Sequence, residues 1–166
     1  EDIRKLMLLF RVITALGDDV LLAEALYIDF LNIKHLDVYK LLVATREQKI
    51  SLYNALKQDK KLKDVYEKLE NWSKLSRNTG LVELFETVVR ESGFLDYILK
   101  KQGSVQKLSK LDVFFTEARR LVENHKDSKL ADFVKYLDVL IRYNVLVKAN
   151  NQSFGVDSVE LMTAHK

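Results

Sequence analysis

The sequence predicts an all-α fold, an irregular multi-helix domain, on three observations. The 166 residues include no proline, where average usage of about 5% would supply roughly eight, so the commonest helix stop is missing. Apolar residues recur three and four positions apart along nearly the whole chain, the spacing that lines one face of a helix. The five glycines stand singly, at the points where that periodicity lapses. A composition of 48% hydrophobic and 31% charged residues fits one soluble globular domain and excludes collagen-like and disordered chains.

Ile3, Leu6, Met7, Phe10, Ile13 and Leu16 form the apolar face of a first helix, which Gly17 ends. Asp18 and Asp19 then supply a cap and a first-turn acid for a second helix, with Leu21, Leu22, Ala25, Leu26 and Phe30 on its face. A third helix is predicted over about 36–46, a short one over 52–56, and a longer one carrying Leu62, Val65, Leu69 and Trp72. Asn78, Thr79 and Gly80 break the pattern, with Thr79 the predicted cap of a helix over 81–91 that ends at Gly93. The stretch 94–101 reads as one or two turns, and Gly103 with Ser104 repeats the pairing of a helix end with a new cap. Two long amphipathic helices follow. The first places Leu108, Leu111, Phe115, Ala118 and Val122 on one face, the second Leu130, Phe133, Val134, Leu137, Leu140 and Ile141. Beyond a loop-like stretch over 150–155, Val159, Leu161 and Thr163 alternate with Glu160, Met162 and Ala164. That is a strand without a partner, and its ladder is expected in a sheet outside this chain.

Several chemistries are excluded early. Cysteine is absent, which removes disulfides, thiolate metal sites and cysteine nucleophiles, and a reducing compartment, the cytoplasm, is expected. Arg11, Glu24 and Asp29 interrupt the apolar runs well short of the roughly 18 residues that span a bilayer, so no membrane partner is expected. His35, His125 and His165 are far apart and form no His-x-x-x-His pair, and no metal site is expected. No glycine-rich loop occurs, so the chain by itself has no phosphate cradle, no cofactor and no assigned catalytic residue. Acidic pairs such as Asp18 with Asp19, or Glu67 with Glu70, read as caps and solvated faces. Phe10, Phe30, Phe85, Phe114, Phe115 and Phe133 fall inside helical patterns, where core packing is the default.

Charge is informative by distribution rather than by sum, since the formal net charge is only +3. Residues 34–63 hold eight basic and three acidic side chains, whereas 1–33 hold three and six. Within the basic stretch Tyr39, Tyr53 and Tyr66 interleave with Lys34, Lys40, Arg46, Lys49, Lys57 and Lys61. Such a mixture either holds a phosphate backbone or is an ordinary lysine-rich helix surface, and both readings stay open. If it is a phosphate-facing patch of Lys34, His35, Lys40, Arg46 and Lys49, neutralising Lys126 or Lys129 should change little by comparison. Because the chain starts at Glu1 without methionine and stops just after a strand-like segment, it is expected to be a piece of a longer protein.

The final segment, Val159-Glu160-Leu161-Met162-Thr163-Ala164-His165-Lys166, resembles the strand entering Leu-Met-Thr-x-His of superfamily 1 DNA helicases of the UvrD, Rep and PcrA group. In that family the strand returns the chain to the second motor domain after a helical insertion, the 2B subdomain. The resemblance therefore implies a 2B-like subdomain over 1–156 and the start of the return strand over 157–166. The Gly17-Asp18-Asp19 step is similar to the family's asparagine-aspartate-aspartate step. It further implies a parent that moves 3′ to 5′ on single-stranded DNA using ATP and magnesium, with this piece touching the duplex and gating unwinding. Thr163 and His165 would lie at the parent's interface of DNA and nucleotide. The implied partners are DNA, the helicase's own motor domains and a repair partner protein. One departure stands out. The family's glycine-containing turn, whose amides meet duplex phosphates, corresponds here to the glycine-free Asp29-Phe30-Leu31-Asn32-Ile33-Lys34-His35, and a side chain at such a point obstructs the amides. The alternative is a helical protein-interaction module within a helicase or helicase-nuclease assembly.

Overall fold

The structure is a computed structural model that describes residues 1–142. It divides into two compact units, Glu1–Lys135 and Tyr136–Lys166. The described residues are helical and contain no strand. The predicted loop over 150–155 and strand over 157–166, with Thr163 and His165, lie outside the described residues.

Helix α1 (Asp2–Thr14) is the hub of the first unit, packing against helices from three parts of the chain. Its predicted stripe is buried as expected at Leu6, Met7, Phe10 and Ile13, and Leu9 and Val12 are buried as well, because neighbours cover α1 on more than one side. Helix α2 (Asp19–Ala25) starts where the Asp18 carboxylate accepts the N–H groups of Val20 and Leu21 at 3.0 and 3.1 Å. It ends earlier than its apolar pattern suggests. Phe30 belongs instead to a single 3-10 turn, Asp29–Leu31, closed by Asn32 in the left-handed conformation at φ 54°.

Helix α3 (His35–Gln48) and α4 (Leu52–Gln58) follow, and α5 (Lys63–Asn78) carries the buried Leu69 and Trp72. Thr79 is not the cap of the next helix. Its N–H closes the last turn of α5 on the Leu75 carbonyl at 2.8 Å, and Gly80 is the residue before α6 (Leu81–Glu91). Ser104 is likewise the first residue of α8 (Ser104–Asn124) rather than its cap, a place taken by Gly103 at φ 72°. Between them sits α7 (Phe94–Leu99), and α9 (Leu130–Arg142) comes last.

In α8 the buried positions are Phe114 and Ala118, whereas Leu108, Leu111, Phe115 and Val122 of the predicted stripe are only half-buried. The physical reason is aromatic. Phe10, Phe85, Phe114 and Phe133 close on one another with every pair of ring centroids 5.2–6.4 Å apart, which turns α8 until Phe114 enters the cluster. That cluster joins α1, α6, α8 and the start of α9. Among the described residues no helix is long and apolar enough to cross a membrane.

Candidate nucleic-acid interface

The basic stretch folds into the approach to α3, α3 itself, α4 and the entry to α5. The turn ahead of α3 is rigidly held. Asp29 accepts hydrogen bonds from Lys5 Nζ of α1 at 2.6 Å and from the Tyr97 hydroxyl of α7 at 2.7 Å. Lys101 also hydrogen-bonds the Tyr97 hydroxyl, and its ammonium sits 3.9 Å from the ring centroid. Phe30 packs edge-on against Phe94 at 5.0 Å. Lys5 and Tyr97 together hold the Asp29 carboxyl below its ordinary range, and the bond to Asp29 pushes Lys5 up to about 12. The Tyr97 contact raises Lys101.

Next in the chain, Asn32 takes the positive φ that a glycine would normally supply. Asparagine tolerates this conformation because its short amide side chain bonds locally. The glycine-free turn thus has a glycine-like backbone at one position. Lys34 follows as the residue before α3, and no side chain caps the first N–H groups of that helix. Lys34 lines a cleft of about 720 Å³ whose walls also include Lys61 from the entry to α5 and Lys68 and Trp72 from α5. Two of the acids in the cleft have partners: Asp37 pairs with Lys61 at 3.4 Å, and Glu91 accepts from Trp72 Nε1 at 2.8 Å.

Lys34, His35, Lys40, Arg46 and Lys49 are all exposed. They form a ribbon rather than a cluster, because α3 is about 21 Å long at 1.5 Å per residue, with Lys34 and Lys49 just beyond its two ends. Down the axis His35 and Arg46 fall within about 20° of each other, and Lys40 sits roughly 120° away. His35 also meets the Tyr27 ring edge-on at 5.5 Å. Lys49 ends the helix in the left-handed conformation, φ 52°.

The three tyrosines separate. Tyr53 and Tyr66 are half-buried with hydroxyls 3.2 Å apart, and Tyr53 donates to Glu70 at 2.9 Å, so they tie α4 to α5. Hydrogen bonding to Tyr66 and Glu70 raises Tyr53, and Tyr53's donation lowers Glu70. Tyr39 points outward and is 62% exposed. For this site the sequence does not single out Lys68, and it marks Asp29 and Asn32 only as parts of the glycine-free turn. Only Asn32 carried a usable signal, as an asparagine between two apolar segments. Lys129, named only as a comparison for the patch, donates its ammonium to the carbonyls of Asn78 and Thr79 at 3.3 and 3.2 Å and thereby caps α5. Among the described residues no group of three or more histidine, aspartate and glutamate side chains is placed to hold a metal ion. What the arrangement offers chemically is positive charge, open amides and the exposed rings of Tyr39 and Tyr27.

No protein-family model matches the chain. It is similar to the A subunits of ATP-dependent helicase/nucleases: 31% identical over 121 residues, 70% of this chain and 10% of the relative, in Bacillus velezensis. The Pediococcus pentosaceus protein of the same name is 28% identical over 127 residues, 75% of this chain and 10% of the relative. The Leuconostoc mesenteroides protein is 24% identical over 159 residues, 95% of this chain and 13% of the relative. The chain therefore spans about a tenth of the length of the curated relatives it matches, and is similar to a segment of these helicase/nuclease proteins.

Proposed function

We propose that this chain is the helical 2B-like accessory subdomain of a UvrD-like ATP-dependent 3′–5′ DNA helicase, contacting duplex DNA and gating its unwinding. The observation that carries the reading is the similarity to helicase/nuclease proteins along an all-helical segment, combined with an exposed cationic ribbon on α3 beside a pinned turn. In this reading Lys34 and the uncapped start of α3 meet phosphates at the turn, while His35, Lys40, Arg46 and Lys49 follow the backbone along the helix. ATP and magnesium belong to the parent's motor domains, since this sequence has no glycine-rich phosphate loop. Residues 157–166 would re-enter the second motor domain, with Thr163 and His165 between DNA and nucleotide.

The test is titration of a labelled hairpin with a single-stranded tail at two salt concentrations. Weak, sequence-indifferent binding that falls with salt is expected, and Lys40→Ala should lower the salt slope by about 0.9. Lys126→Ala is the comparator, because Lys129 has the structural task described above. Absence of binding at low salt, or equal weakening by Lys126→Ala, overturns the DNA reading. DNA-stimulated ATP turnover by the purified chain would overturn the subdomain assignment.

A second reading, a protein-interaction module within a helicase-nuclease assembly, is favoured by one feature. An apolar groove of about 460 Å³ runs between α6 and α8, lined by Phe85, Val89, Leu95, Leu108, Leu111 and Phe115.

A further inference from the structure

Helix α3 is apolar on two opposite sides. Val38 and Leu41 face inward and are buried, while Leu36 and Tyr39 face outward, each 62% exposed, with Val43 half-buried one turn on. One stripe suffices to anchor a helix, so the outward stripe needs its own account. Its surroundings narrow the choice. Lys40 is next to Tyr39, His35 is one turn before it and Arg46 two turns after, and Lys34 and Lys49 mark the two ends. The acids on α3 are Asp37, engaged by Lys61 at 3.4 Å, and the exposed Glu47. Tyr27 is also exposed, at 41%, but its ring is engaged edge-on by His35, and Tyr39 is the more open of the two. Val20 stands among Asp18, Asp19 and Glu24, which repel a polyanion, and Leu99 and Val105 offer no ring.

We infer that Tyr39 is a stacking platform for an unpaired nucleobase, so that the α3 face takes the junction between duplex and single-stranded DNA rather than uninterrupted duplex. The inference rests on the DNA-binding reading above and deepens it. Inside a duplex both faces of every base are covered by neighbours. A tyrosine ring finds an open base face only at an end, a bubble or a fork. Cations flanking an exposed ring bind backbone and base together, and Leu36 one turn away covers the edge of the stacked pair. Stacking and phosphate contact differ in one measurable respect: only the latter releases counterions.

Anisotropy titrations of the 166-residue chain would use three labelled DNAs of equal length, every loop replaced by a non-nucleotide linker: a tailed hairpin, a blunt duplex sealed by such a linker at both ends, and a tailed hairpin whose first unpaired nucleotide is abasic. Wild-type protein should favour the tailed form. Tyr39→Ala and Tyr39→Leu should each weaken tailed binding about 5- to 150-fold with an unchanged salt slope, and leave blunt binding as it was. Tyr39→Phe should retain wild-type affinity, and the abasic hairpin should bind wild-type protein no better than the intact one binds Tyr39→Ala. Because Tyr39 is exposed, all three variants should melt with the wild type, which excludes misfolding as the cause. Equal weakening on blunt and tailed DNA overturns the inference, as does full retention by Tyr39→Leu. If Lys40→Ala lowers the salt slope while Tyr39→Ala changes nothing, the DNA reading stands and the stacking site falls. If no DNA binds, both fall and the outward stripe is a protein-docking face.

Discussion

Asp19 lies in the first turn of α2, yet its carboxylate accepts the N–H groups of Leu52 at 2.9 Å and Tyr53 at 3.3 Å, capping α4 from a distant part of the chain. Asp19→Ala should destabilise the protein by about 1 kcal/mol through loss of that cap, read as a lowered melting temperature, and Asp19→Asn should recover most of it. The sequence marks Asp19 as a first-turn acid of the second helix, and its service to α4 depends on where α4 docks. Asp29 gives a pH prediction with a definite sign. Its carboxyl is held below the ordinary 3.8 by Lys5 and then Tyr97, so its contribution is present above about pH 4 and is lost as pH falls through the folded value. Lys5 is raised from 10.5 to about 12, so its contribution is complete below 10.5 and is lost as pH rises through about 12. Both groups are partly exposed, so the effect is a few degrees of melting temperature, and Asp29→Asn should flatten the acid limb of a melting-temperature profile. Asn32 and Gly93 share a lesson. Gly93 has φ 80°, and a Cβ there would meet the Phe30 carbonyl oxygen at 3.1 Å. The sequence marks Gly93 as a helix end, but not that it is what lets the Asp29–Leu31 turn approach.

Among elements, α8 shows why periodicity underdetermines packing. Leu108, Leu111, Phe115, Ala118 and Val122 make one helical stripe, and Leu111, Phe114, Ala118 and Leu121 make a neighbouring one that meets the same spacing rule. Only the other rings decide between them, and those come from α1, α6 and α9. Phe114→Ala should therefore cost about 3–5 kcal/mol, and Leu108→Ala, half-buried at the edge of a groove, clearly less, as denaturant melts would show. Equal costs would mean that the predicted stripe was the buried one. Helix α3 was legible in extent to within two residues at either end, and its cations were legible as a list. Its two apolar sides were not separable from sequence: Tyr39 groups with Tyr53 and Tyr66 in the basic stretch, and only the docking of α4 and α5 shows that Tyr39 alone of the three points outward.

On the scale of the whole first unit, helix existence and order followed from spacing and punctuation, because both are local. The meeting of Phe10, Phe85, Phe114 and Phe133 did not, because it depends on long-range docking. That meeting has a consequence in time. Phe10 leaves the ribosome first, but two of the rings that enclose it follow roughly a hundred residues or more later. Helices α2 and α5 can cover part of α1 early, but the side that carries Phe10 must wait for α8 and the start of α9, and closing so long a loop slows folding relative to a bundle of sequential hairpins. A chain cut after residue 124 loses Leu130 and Phe133, and should keep helical circular dichroism while its melt loses cooperativity. Within this segment, one side of α1 is completed only when the last of the four rings arrives.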